Sequence, residues 1–230
     1  MTDPFSKSVS AWRRRAPVTP ARRRCPAYRP QPGPGKTALS RALPRPLNGP
    51  GAVSIYVLDR GRDGDPLDVL DRLSPGTWVI LRDYDRLDRA AWARTVAARC
   101  RRRRLVLLVA GDARLALRVG AAGVHLPQGL ARLGGVARLP LLISAAAHDA
   151  AAIRRAMRIG ADAVLVSPVF ATRSHPGAPG LGPHRLARLL ARHRGARGVA
   201  LVALGGISAA TVRRLPPGVD GIAAIDGWSA

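Results

Sequence analysis

Eight short apolar runs, spaced so that helix-length amphipathic segments fit between them, decide what this chain can fold into. They fall at residues 53–58, 77–81, 105–109, 124–126, 141–144, 163–167, 200–204 and 221–225. Each is too short for a globular helix and apolar at consecutive positions, the pattern of a strand buried on both faces; such strands belong to parallel sheets covered by helices. The intervening segments carry helix punctuation. Asp112 precedes a stretch with Leu115, Leu117 and Val119 that stops at Gly120, and Asp149 precedes one with Ile153, Ala156 and Met157 that stops at Gly160. A short acidic side chain can satisfy the free N–H groups of a first turn, and glycine can take the left-handed conformation that ends a helix.

The chain also echoes itself. Arg158-Ile159-Gly160-Ala161-Asp162-Ala163-Val164 matches Arg118-Val119-Gly120-Ala121-Ala122-Gly123-Val124, and Pro217-Gly218-Val219-Asp220-Gly221-Ile222 is a looser copy. Each echo is a helix end that feeds a strand. Eight strands in repeated units favour a closed barrel over an open doubly wound sheet, which commonly has five or six. The expected fold is therefore α/β, a single parallel (β/α)8 TIM barrel over residues 51–230. Only residues 226–230 follow the last run, which predicts a truncated last helix. The apolar surface this leaves between the first and seventh helices calls for a cover, either a partner subunit in a homo-oligomer or residues 37–43.

Residues 1–50 read differently. They are rich in Pro, Arg and Gly without a sustained period, and they hold eleven Lys and Arg residues against Asp3 alone. The expectation is a basic, disordered N-terminal tail. Within it Gly33-Pro34-Gly35-Lys36-Thr37 imitates a phosphate-binding loop, but Pro30 stands where the first glycine belongs and no strand precedes it. The formal net charge of +24 attracts polyanions in a salt-dependent way. With no aromatic interleaving and no recognition helix, it implies no specific nucleic-acid partner.

The longest apolar run, residues 105–111, has strand length, so no membrane span is expected. Two cysteines, Cys25 and Cys100, fit neither a disulfide framework nor a zinc site, and point to a reducing cytoplasm. The absence of Glu and the scarcity of Lys are those of a GC-rich bacterial gene.

In barrels of this kind the loops after the strands build the site. That rule selects Arg82, Asp112, His125, Gln128, His148, Thr172, Ser174, His175, Gly205, Gly206, Asp226 and Gly227. The glycine turns after the seventh and eighth runs, at Gly205, Gly206 and Gly227, expose backbone N–H groups at the usual phosphate position. The loop from Pro168 to Gly180 is long for such a connection and carries hydroxyl and basic groups suited to an anionic ligand. Histidines at three strand ends lack carboxylate-backed metal spacing, so no metal is expected there. Arg101 to Arg104 precede the third strand and belong to the opposite rim. His184 and His193 lie on the helix after the sixth run, as surface residues.

At these residues the chain resembles thiamine phosphate synthases and the related thiazole tautomerases. The likeness is carried by residues 115–128, by Gly160-Ala161-Asp162 through Pro168-Val169-Phe170-Ala171-Thr172 to Pro176-Gly177-Ala178, and by Val202-Ala203-Leu204-Gly205-Gly206-Ile207. The resemblance implies a small-molecule thiazole phosphate as ligand. In the synthases, Mg2+ held by two aspartates, with Gln, Arg and Lys, neutralises a leaving diphosphate. Here Ile80 stands for the Gln and Tyr84 for the Lys; only Arg82 matches. The Asn-Asp pair is Ala110-Gly111, with Asp112 adjacent, and the second metal aspartate is Leu130. After the fifth run the family's Ser is Ala146, while His148 matches; Thr172 and Ser174 match, and His175 replaces a Lys.

The losses cluster on metal and diphosphate, so the expected activity is that of a thiazole tautomerase-like enzyme needing no cofactor. His148 would be its general acid/base, Gly205, Gly206 and Gly227 its phosphate site, and Arg82, His125, Gln128, Thr172, Ser174 and His175 its substrate contacts. The alternatives are a thiamine phosphate synthase with rearranged Mg2+ ligands, Asp112 among them, and a non-catalytic binding or regulatory barrel.

Overall fold

A computed structural model describes residues 53–59, 65–84, 87–130, 136–137, 139–172, 177, 179–193 and 198–226. The tail expected over residues 1–50 lies outside them, as do Ser174, His175 and Gly227. Eight parallel strands close into a barrel in chain order. They are β1 (Val53–Leu58), β2 (Trp78–Leu81), β3 (Val106–Ala110), β4 (Gly123–Leu126), β5 (Leu142–Ala147), β6 (Ala163–Val166), β7 (Ala200–Leu204) and β8 (Gly221–Ala224). The seam is made by β1 on β8, with Val53 opposite Gly221. A Cβ at Gly221 would stand 2.8 Å from that of Val53, so the seam closes only around a glycine.

Five α-helices are described on the outside: α1 (Pro66–Arg72), α2 (Arg89–Arg103), α3 (Ala113–Arg118), α4 (Ala150–Arg158) and α5 (Gly182–His193). Between β7 and β8 the expected seventh helix is replaced by a single 3-10 turn, Val212–Arg214. Its short apolar content explains this: Val212 and Leu215 are buried, and Pro216 and Pro217 follow at once, removing N–H donors a helix would need. No helix among the described residues is long and apolar enough to cross a membrane.

The helix caps work as the sequence suggests. Asp112 Oδ1 accepts from Leu115 N at 2.8 Å and Asp149 Oδ1 from Ala152 N at 2.6 Å, each cap contributing about 1 kcal/mol. Helix α4 then buries Ala152, Ile153 and Ala156 against the barrel wall; Ile153 alone contributes about 2 kcal/mol of burial. Arg101 to Arg104 end α2 in solvent, away from the mouth, with Arg101 donating to the Val119 carbonyl.

Alternation along each strand divides the apolar residues into two cores. One face packs against the helices, with Leu58, Leu81, Val109 and Ile143 among its members. The other fills the barrel, where Trp78, Ile55, Leu108 and Leu165 interdigitate with the small Ala163, Ala200 and Ala223. The internal echo proves to be a rim device. Asp162 Oδ2 accepts from Ile143 N and Asp220 Oδ2 from Leu201 N, at 2.8 and 2.9 Å. Each aspartate, standing just before its own strand, clasps the start of the preceding strand. Ala122 lacks the carboxylate and pairs through its backbone alone, to Leu107 and Leu142.

Candidate active site

The ends of the strands surround one open cavity of about 850 Å³. Its floor is the top of the inner core, Val57, Ile80 and Leu165, so a ligand rests on apolar side chains. Arg82, His125, Gln128, His148, Thr172, Gly205 and Gly206 all line it, which brings together every described residue that the sequence selected for phosphate, substrate or acid/base work. Asp226 lines it as well, at the end of β8. Asp112 does not: it is turned to its helix.

His148 follows β5 and is held from two sides. Its backbone N donates to Gln128 Oε1 at 2.9 Å, tying the β4 and β5 loops. Its Nδ1 lies 2.7 Å from the Ser167 carbonyl at the end of β6. A carbonyl only accepts, so Nδ1 carries the hydrogen and Nε2 is the nitrogen left for a ligand's proton.

His125 plays a different part. Its ring points into the barrel, buried, with Nδ1 2.9 Å from Ser144 Oγ on the neighbouring strand. Burial first, and then the Arg82 guanidinium, push its pKa down to about 4. The ring is therefore a neutral hydrogen-bonding group at neutral pH. Arg82 itself reaches Asp59 at 3.3 Å.

The turn after β7 presents Gly205, Gly206, Ile207 and Ser208 to the cavity. Gly205 and Gly206 have φ of +96° and +61°. A Cβ on Gly205 would stand 2.8 Å from the Cα of Pro168, and one on Gly206 2.5 Å from the carbonyl oxygen of Ala171. The turn is thus glycine because the β6 loop leans directly on it. Thr211 Oγ1 donates to the Gly206 carbonyl at 2.7 Å and pins the turn from below. The bare backbone this leaves at the mouth is what a phosphate requires.

The opposite side of the mouth is built otherwise. Arg89, at the start of α2, donates to the Ala110 carbonyl and stands 3.9 Å from Asp112 Oδ2. Its guanidinium lies 5.6 Å from the centre of the Tyr84 ring. Asp112 spends Oδ1 on its helix cap, and Asp83 accepts from Trp92 Nε1 at 2.8 Å. Among the described residues no three His, Cys, Asp or Glu side chains are grouped to hold a metal. A carboxylate at position 111 would have to displace Tyr84, whose Cε1 lies 3.1 Å from the Cβ position of Gly111. Among the described residues no group fits the Mg2+ that the resemblance implies, and both Asp112 oxygens are engaged, by the helix cap and by Arg89.

Three polar lining residues are not among those selected at the strand ends: Tyr84, Ser167 and Ser208. Ser144, which orients His125, also went unnoticed. The signal for it was a hydroxyl at an inward position of an otherwise apolar strand, in register with His125.

A closed parallel barrel with a glycine turn after β7 and polar groups around an apolar floor defines the (β/α)8 barrel class. Within that class the chain belongs to the thiamine monophosphate synthase family, whose profile matches residues 55–227. It is 40% identical over 116 residues to the thiamine-phosphate synthase of Methanoculleus marisnigri, covering 48% of this chain and 53% of that protein. The chain thus spans about half of that relative's length. It is 27% identical to the thiamine-phosphate synthase of Bacillus licheniformis over 77% of this chain and 84% of that one. Among solved structures, a thiamine phosphate pyrophosphorylase from Pyrococcus furiosus superposes with a TM-score of 0.61 at 24% identity, covering 79% of this chain and 87% of the other, a likeness of fold.

Proposed function

We propose that this chain is an enzyme of thiamine biosynthesis that takes a thiazole phosphate in the barrel mouth and couples it to a pyrimidine. The observation that carries the substrate half is the convergence of Gly205, Gly206, His148, Thr172 and Gln128 on one cavity. The coupling itself is supported by the relatives, which are named synthases, and is preferred over the tautomerase reading for that reason. In coupling, the thiazole nitrogen bonds to the pyrimidine methylene carbon as the carbon–oxygen bond to diphosphate breaks. The phosphate of the thiazole would sit on the Gly205–Gly206 turn. His148 Nε2 and Thr172 would orient the ring.

Tautomerisation is the second reading, favoured by one observation: the Ser167 carbonyl fixes His148 Nδ1–H and leaves Nε2 as a proton acceptor at the mouth. The two are separated by one pair of assays. Purified protein with a pyrimidine diphosphate, thiazole phosphate and Mg2+ should release diphosphate and form thiamine phosphate. Should it instead only aromatise a thiazole carboxylate phosphate, and lose that activity by about 100-fold or more in His148→Ala, the tautomerase reading replaces the first. Neither conversion, with no binding of thiazole phosphate, would leave a non-catalytic barrel.

A further inference from the structure

The β2–β3–β4 corner of the mouth holds no grouped metal ligands among the described residues, but it is not left open. Tyr84 stands there, lining the cavity with 42% of its surface exposed. On one side lies the Arg89 guanidinium, itself only 15% exposed and anchored on the Ala110 carbonyl. At the edge of the ring lies Gly111, whose φ of +71° and missing side chain make room for Cε1 and Cδ1. Leu130 Cδ1 approaches the same spot, 3.8 Å from the Cβ position of Gly111. An exposed tyrosine usually rotates in solvent. This one is set against a guanidinium and a glycine, and it lines the cavity.

We propose that Tyr84, backed by Arg89 and seated on Gly111, is the platform on which a second planar ring of the ligand stacks. The inference rests on the coupling reading, in which the second ring is the pyrimidine, and it makes Tyr84 a specificity-determining residue. The geometry suits it. The cavity runs from the Gly205–Gly206 turn on β7 across the apolar floor to Tyr84 beyond β2, and its volume is that of sites holding ligands larger than one small ring. A guanidinium behind an aromatic ring holds it by cation–π attraction, at little entropic cost when a ligand ring arrives.

The test is calorimetry on the full chain with three probes: thiamine monophosphate, which carries both rings and one phosphate, thiazole phosphate alone, and a free aminopyrimidine alcohol. Each is titrated in EDTA and in Mg2+ into the unmutated protein, Tyr84→Phe and Tyr84→Ala. The unmutated protein and Tyr84→Phe should bind thiamine monophosphate equally well with and without Mg2+. Tyr84→Ala should lose about tenfold, the size of one lost ring stack, for the two-ring probe and keep its affinity for thiazole phosphate. An affinity that requires Mg2+, a loss equal for both phosphates, or no loss at all would overturn the proposal. If thiazole phosphate fails to bind the unmutated protein, the functional reading fails by itself. The aminopyrimidine probe then decides for Tyr84, supporting it if Tyr84→Ala weakens binding and overturning it if binding is unchanged.

Discussion

The two arcs of the barrel mouth have been treated differently. From β5 to β7, His148, Ser167 and the Gly205–Gly206 turn are interlocked through backbone contacts, so each residue is fixed by its neighbours' main chain. From β2 to β4, Tyr84, Arg89 and Asp112 meet through side chains, with Arg89 as the hub. Where a site is made of backbone, packing resists a change of residue. Where it is made of side chains, one substitution empties a ligand position and a neighbour can fill it.

The sharpest way to break this contrast is to add the same methyl group to both arcs. Gly205→Ala places a Cβ 2.8 Å from the backbone of Pro168 at a φ of +96°, and should cost about 4 kcal/mol in urea unfolding. Gly111→Ala, at a φ of +71°, meets side chains that can move, the Tyr84 ring and Leu130 Cδ1, rather than backbone, and should cost about 2 kcal/mol. Equal costs would remove the distinction.

His125, between the arcs, should show itself in pH. Its folded pKa of about 4 lies below the ordinary 6.5, so as pH falls the unfolded chain takes up the proton first. Its contribution is complete above about pH 6.5 and drains away toward pH 4, on the order of 3 kcal/mol over that window. Thermal melts of His125→Gln across this range should be flatter than those of the unmutated protein. Parallel curves would mean that the ring is not held neutral.

The smallest effect concerns Asp112. Its replacement by Ala should lower stability by about 1 kcal/mol, the worth of a helix cap, and the loss should be the same in EDTA and in Mg2+. A melting temperature that rises with Mg2+ only while Asp112 is present would show that the carboxylate binds metal after all.

Most of the barrel could be read from the chain because buried parallel strands announce themselves as apolar runs. Seven of the eight strands begin and end within a residue or so of the runs. β5 is the exception, continuing to Ala147 through three alanines of little strand preference, where pairing to β6 overrides local tendency. The seventh helix was assumed by analogy with its neighbours and is a 3-10 turn. At the site, residues immediately after strands were found because the fold fixes their place. Tyr84 was legible only as a departure from a family pattern; nothing in the one-dimensional text links it to Arg89 and Gly111, which reach it from two other segments.

The aspartate clasps at the far rim carry a final consequence. Because Asp162 and Asp220 tie strand starts together at the end away from the cavity, the alignment of β5 with β6 and of β7 with β8 does not depend on what the mouth contains. Staves bound by a hoop at the base can be recut at the lip. A chain built so can exchange one ligand chemistry for another by steps at its open end while remaining folded at every step.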